Sequence, residues 1–575
     1  MKQDWVRTSL IVSIAALCFI LIIRWNTFQE TNRLMEEAKF EQAQSTQSAL
    51  TGSPTNLQNG SDLPTLPNTN SDVPVEGLPT ELSDSKPSSS GLTTLQADTP
   101  LAETITVKTD VLHVEIALLG GDIVGVSLPE HYAKIDTPDK PFKLMDQDRG
   151  HTYVAMSGFY GGDATKLARP LYRSSKTHYE MNGNELMIDL VHTTDNQIHL
   201  TKRFTFTPGS YLIDVTHRVN NQSDAAWRAG LFGTIKRSDY NPNKSNAMGM
   251  QPFLGAATST DEKNYDKTKF DDIPTNKNEL KHTKQGGWVA MVQHYFLTAW
   301  IPNPNYENTY SIYRSEKSNT YFLQFTSTVL NVSSGESAEE TAQFYAGPKD
   351  IHRLEKISPY LDLTIDYSFL WWIAKPLFYA LDFIHGFVGN WGVAIIFLTI
   401  LIKLIFFYPS ATSYRSMAKM RKVQPKMLAL KERLGDNKQK LSSEMMKLYK
   451  DEKVNPLGGC LPILIQMPVF LALYWVLMES VELRHAPFML WIQDLSVKDP
   501  FYVLPLIMGA TMFIQQKLNP TPPDPMQAKI MQMMPVFFTL LFLFFPAGLV
   551  LYWVVNNTLS ITQQYVITKQ IEKAD

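Results

Sequence analysis

Cysteine is nearly absent. The 575 residues hold only Cys18 and Cys460, both in or beside apolar runs. That argues against a disulfide framework, and no Cys-x-x-Cys metal or redox site is present. Charge is also scarce, at 19%, with 53 Lys+Arg nearly cancelled by 56 Asp+Glu. A net charge of -3 gives no electrostatic footprint for DNA. The histidines between residues 101 and 350, such as His113, His151 and His217, fit no zinc-site spacing. That region also has no nucleophile elbow and no P-loop. Nothing in this pattern calls for a metal or cofactor, and no catalytic residue stands out.

Absence also marks a linker. No Ile, Trp, Tyr or Cys occurs between Asn26 and Thr104, where Ser, Thr, Pro, Asn, Gln and Gly are plentiful. Such a stretch cannot bury enough apolar area to offset its ordering entropy, so residues 26–100 read as a disordered polar linker. It follows residues 1–25, whose run LIVSIAALCFILII (Leu10 to Ile23) reads as a signal anchor. No small-x-small cleavage site follows that run.

From 101 to about 355 the period becomes two. Stretches such as ITVKTDVLHVEIALLGGDIVGVSLP alternate apolar and polar residues between Gly, Pro and Asn turns. This predicts a large all-β sandwich with little helix. Trp288, Tyr295 and Trp300 suit its core better than a binding groove.

The last third is apolar. Residues 360–387 carry a helical stripe at Ile373, Leu377, Ala380, Leu381 and Ile384, interrupted by Lys375, Asp382 and His385. They read as an amphipathic helix lying at the membrane interface. Five spans are expected near 388–408, 461–481, 501–517, 528–545 and 547–567, making six transmembrane helices with the anchor. Between Tyr408 and Cys460 lie 12 Lys/Arg against 5 Asp/Glu. The positive-inside rule puts that segment in the cytoplasm, the β domain outside and both termini inside. Met420, Val423, Met427, Leu430 and Leu434 form a seam facing Leu441, Met445 and Leu448. A helical hairpin over 410–456 is therefore expected, turning at Leu434-Gly435-Asp436-Asn437 and kinked at Pro425.

One charge interrupts the span after Trp391. Lys403 lies near its cytoplasmic end, and Thr399 shares its helical face. A lysine there either snorkels to the headgroups or marks a wet cationic cavity between spans. The last span has a polar cytoplasmic half: Asn556, Asn557, Thr558, Ser560, Gln563 and Gln564. A transporter using Lys403 is one rival reading, but it predicts internal repeats and none are visible. A membrane-anchored glycan-binding or glycan-processing protein using the β domain is the other.

The stretch NPLGGCLPILIQMPVFLALYWVLMESVELRHAPFMLWIQDLS resembles the core signature of the YidC family of membrane protein insertases. SMAKMRKVQPKMLALKERLGDNKQKLSSEMMKLYKDEKVNPLGGC and FFPAGLVLYWVVNN resemble its hairpin and its last two spans. The layout resembles the Gram-negative form, an inner-membrane protein with a large periplasmic β-supersandwich domain. The resemblance implies a five-helix insertase core over 388–570 with a hydrophilic groove open to the cytoplasm, and no bond-making chemistry. It implies a groove charge at Lys403, where the family typically has arginine. The groove's polar and aromatic lining would be Thr399, Gln466, Trp553 and Asn557. It implies a substrate slide along Met467, Pro468, Phe470, Phe537 and Phe538. The implied partners are nascent membrane proteins, the Sec translocon, the ribosome and anionic lipids. A docking surface for them is expected on Lys419, Arg421, Lys422, Lys426, Lys431 and Arg433.

Overall fold

The computed structural model describes residues 103–148, 151–166, 169–239, 252–315, 319–434, 438–452, 461–519 and 525–573. The expected anchor, the linker and the Gly435-Asp436-Asn437 turn lie outside these residues.

The two-residue period becomes nineteen strands among the described residues. They form one sheet of eleven strands and one of eight. Paired strands are antiparallel except Thr106–Lys108 with His178–Glu180, which run parallel. The sheets face each other over a core that includes Trp288, Trp300, Tyr310, Phe325 and Phe344, all at most 1% exposed. Tyr295 is half-buried. The expected Gly-Gly turn is present: Gly120 and Gly121 take φ of +76° and +59°, a region a side chain disfavours.

One strand departs from the apolar code. Ile198–Phe206 turns Ile198, Leu200, Lys202, Phe204 and Phe206 inward. The Lys202 Nζ donates to the carbonyls of Gly120 and Ser157, each at 3.2 Å. His217 stands opposite Lys202 on the next strand, and Glu340 stands opposite His217 on the strand after it. All three are buried. Burial disfavours the charged forms. It lowers Lys202 to about 7 and raises Glu340 to about 7.

Lys202 has a consequence for stability. Above its unfolded pKa of about 10.4 neither state carries its proton, and burial has no ionic cost. Between that value and about 7 only the unfolded chain binds the proton, so stability falls as pH falls. Lys202→Met is expected to remove this slope, up to about 1.4 kcal/mol per pH unit. It should also stabilise the protein at pH 7. Denaturation curves of parent and variant between pH 7 and 10 check it; parallel curves would rule it out.

The helical region begins directly after the last strand, Ser337–Pro348. Asp350 caps α1 (Ile351–Ile357), its carboxylate accepting from the backbone N–H of His352 and Arg353. Then come α2 (Trp371–Val388), α3 (Trp391–Ile405), α4 (Phe407–Leu434), α5 (Lys438–Asp451), α6 (Leu461–Glu479), α7 (Val503–Leu518), α8 (Pro525–Phe542) and α9 (Ala547–Lys573).

Two local features add detail to the sequence reading. Of the stripe on α2, Leu381 is fully buried together with Ala374 and Phe378, and Ile373, Leu377, Ala380 and Ile384 are half-buried against the same core. Lys375 is held by Glu355 and Asp362, each at 2.8 Å. In the hairpin arm, α4 continues through Pro425. A break lies at Phe406, where α3 and α4 meet at 68°. Pro409 accounts for it: it has no N–H to offer the Ile405 carbonyl, and its ring crowds that carbonyl. Among the described residues no single helix is long and apolar enough to cross a membrane alone; the bent α3–α4 pair is, by length and composition.

The β domain and the helices meet through polar contacts. Lys349 Nζ donates to Glu479 Oε2 at 2.5 Å, with side chains 1% and 0% exposed. His294 Nε2 meets the Met478 carbonyl at 2.9 Å. Arg484 donates to the Tyr132 carbonyl at 2.7 Å, and the Tyr132 ring stacks on His485 at 5.0 Å.

Candidate functional site

Three helices bring their polar groups together around Lys403. The Lys403 ammonium donates to Ser560 Oγ on α9 at 2.7 Å and lies 3.5 Å from Gln466 Oε1 on α6. Gln466 in turn donates to the Asn556 side chain, one turn before Ser560. The Ser560 hydroxyl donates to the Asn556 carbonyl at 2.7 Å, which leaves its lone pairs for the ammonium. Asn556, Ser560 and Gln564 are 7%, 3% and 2% exposed. This polar row follows the helical period.

The other expected lining residues separate. Thr399 is buried, and its hydroxyl donates to the Ile395 carbonyl of its own helix at 2.6 Å. Asn557 turns to α7 and donates to Thr511 Oγ1 at 3.2 Å. Trp553 packs edge-on against Phe470 at 4.6 Å and lies 5.3 Å from Phe542. Its indole N–H is buried without a partner.

The expected slide residues divide in the same way. Phe470 and Phe538 both border Phe542 and are half-buried. Met467, Pro468 and Phe537 are exposed. Phe537 continues a wide apolar face of α8 with Ile530, Met533, Met534, Val536 and Leu540, each 39% exposed or more. Outer faces of α3 and α7 add Leu404, Ile405, Leu506 and Phe513, each more than half exposed. Contiguous apolar surface of this kind marks contact with lipid or another protein.

The hairpin packs α4 on α5 through buried Val423 and Met427, with Met420, Met445 and Leu448 alongside. Lys419, Arg421, Lys422, Lys426 and Arg433 are exposed and Lys431 is half-buried. Lys426 pairs with Glu452 at 2.5 Å on the surface, a contact worth little to stability.

Sequence reading missed the partnership of Ser560 with Lys403, although the polar repeat along the last helix was its signal. It missed the Lys349–Glu479 pair entirely. The partners are 130 residues apart, and neither sits in a motif.

Two family models cover nearly all of the helical and β regions. The YidC periplasmic domain matches residues 104–380, and the 60Kd inner membrane protein matches 383–574. A membrane protein insertase YidC of Cellvibrio japonicus is 54% identical over 578 residues, covering 100% of both chains. One of Saccharophagus degradans is 55% identical over 576 residues, again covering 100% of both. The chain belongs to the YidC family. Its architecture is that of the family: a periplasmic-type β-sandwich domain joined to a helical C-terminal region. A solved active YidC insertase aligns over 82% of the chain and 93% of its own, at 17% identity and a TM-score of 0.36. A likeness that loose adds nothing to the assignment. The cation of the cluster, at position 403, is a lysine. Lysine is a compact, flexible point charge and lacks arginine's planar fork for carboxylates.

Proposed function

We propose that the chain inserts membrane proteins into the inner membrane, with the cluster around Lys403 receiving the polar segment that must cross. One observation carries this: a cation, Lys403, held by Ser560 and near Gln466 between three helices, beside broad apolar faces of α3, α7 and α8.

The energetics fit. A carboxylate at mid-bilayer costs roughly 2.5–3.5 kcal/mol on insertion scales, and a nearby cation lowers that cost. Leu, Ile, Phe and Val each contribute roughly 0.3–0.6 kcal/mol in favour of insertion. A span of about twenty such residues therefore outweighs one or two carboxylates. Hydrophobic transfer drives the step, and the groove lowers the barrier for the polar end. No bond is made or broken, so no cofactor is required.

On this reading six spans place the β domain in the periplasm and both termini in the cytoplasm. Thr399, Gln466, Trp553 and Asn557 line or brace the groove, and Met467, Pro468, Phe470, Phe537 and Phe538 border the path into lipid. The hairpin's Lys419, Arg421, Lys422, Lys426, Lys431 and Arg433 form a docking surface for anionic lipid, the ribosome or the Sec translocon.

The test uses the full chain in proteoliposomes and a single-span substrate with an acidic N-terminal segment. Lys403→Ala is expected to lower insertion about tenfold, equivalent to about 1.4 kcal/mol on the barrier. The same substrate with Asn and Gln in place of its acidic residues should be little affected. Equal insertion of both substrates by parent and variant would make Lys403 a snorkelling residue.

A further inference from the structure

The helical break at Phe406 and the Lys403 cluster share one partner. On α9, Ser560 holds the Lys403 ammonium on the α3 side of the break. Three residues on, Gln563 Nε2 donates at 3.1 Å to the carbonyl of Phe407, the first residue of α4. Tyr414, about two turns further into the hairpin arm, is 4% exposed. Ala411 and Tyr414 then pack on Ile567 of α9, with Met417 and Ile571 alongside. α9 therefore grips both sides of a 68° bend. With Pro409 having removed one ladder bond, the bend is held largely from outside the helix.

The ammonium is the exchangeable part of this grip. Among the described residues, Lys403 meets neutral oxygens, Ser560 Oγ at 2.7 Å and Gln466 Oε1 at 3.5 Å. A carboxylate offers the ammonium a full negative charge as well as a hydrogen bond, where the Ser560 hydroxyl offers only a dipole. A carboxylate entering the cluster therefore competes directly with Ser560.

We propose that Ser560 and Gln563 are positioning residues that set the α3–α4 bend. When a carboxylate of the incoming segment takes the Lys403 ammonium from Ser560, the grip loosens and the hairpin moves. Groove occupancy is thus transmitted to the surface that faces the hairpin's partners. This deepens the insertase reading and rests on Lys403 being the groove charge.

The experiment measures a label-to-label distance in the full chain in proteoliposomes, with Cys18 and Cys460 replaced by serine. The labels sit at Met446→Cys on α5 and Tyr565→Cys on α9, both more than half exposed. The probe is a single-span peptide with an acidic N-terminal segment; its Asn/Gln counterpart is the control. The acidic peptide is expected to shift the distance distribution, and the control peptide to leave it in place. Ser560→Ala should show the shifted distribution without peptide. Ser560→Thr, which keeps the hydroxyl, should behave as the parent. Gln563→Ala should broaden the distribution while leaving peptide binding intact. An unchanged distribution with acidic peptide bound to the parent overturns the proposal and needs no variant to fold. If insertion depends on Lys403 but the distance does not respond, only this coupling fails. If insertion is indifferent to Lys403, the insertase reading of the cluster fails first.

Discussion

Replacing Lys349 with methionine is expected to destabilise the protein by about 3–5 kcal/mol, measured by reversible detergent unfolding. The pair it breaks is fully enclosed, with Lys349 and Glu479 at 1% and 0% exposure and 2.5 Å apart. Removing two such ions from water costs several kcal/mol each, and their mutual attraction offsets this only while both remain. The single variant leaves a carboxylate with no cation, and Glu479 Oε1 already lacks any partner. Glu479→Leu should cost a similar amount, since a buried ammonium is then stranded. The double variant Lys349→Met/Glu479→Leu should return to within about 1 kcal/mol of the parent or exceed it. The coupling between the two changes would then be several kcal/mol. Single variants within about 0.5 kcal/mol of the parent would mean that water reaches the pair and that the β domain does not seat on α6 as described. The pair matters structurally because it joins the end of the last strand to the end of α6. Of the neighbouring contacts, His294 to Met478 is a single hydrogen bond, and Arg484 donates to the carbonyls of Tyr132 and, at 3.4 Å, Ala133, each bond worth roughly 1 kcal/mol or somewhat more where charged.

The parts of this architecture that were legible in sequence are those written in local period. Strict alternation in Ile198–Phe206 marked a half-buried strand, and Gly120-Gly121 marked a turn that only positive φ closes. The hairpin seam at Val423 and Met427 followed from three-four spacing. Long-range pairing left no such trace. Lys202 occupied an inward position in that alternation, but only the paired strands bring it beside His217 and Glu340. The break at 406 lay inside a continuous apolar run, which hid it. At the site, Lys403 was conspicuous as a charge among apolar residues. Its partners were not, because the sequence offered six polar residues on the last helix and no way to choose Ser560.

Reversing the charge at position 403 is expected to reverse substrate preference. With Lys403→Glu, insertion of a substrate with an acidic N-terminal segment should fall by about 100-fold. That is about 2.7 kcal/mol on the barrier, the scale of turning an attraction into a repulsion at a few ångström in a half-wet site. Ser560 Oγ and Gln466 Oε1 are acceptors facing the ammonium. A carboxylate there must rotate Ser560 or the Gln466 amide to find a donor, so part of the loss is local rearrangement. The discriminating arm is therefore a basic substrate. If the cluster acts through charge, Lys403→Glu should insert a Lys/Arg-rich N-terminal segment better than the parent does. If the variant were merely misfolded, it would fail on acidic, neutral and basic segments alike. Lys403→Arg completes the series. It keeps the charge and adds a planar fork that binds a carboxylate through two hydrogen bonds. Acidic substrates should insert at least as well as with the parent, and their release from the cluster should be slower. If the cluster receives the segment as proposed, a lysine at this position favours turnover over tight capture, because a point charge attracts the segment but holds it through fewer bonds than arginine's fork.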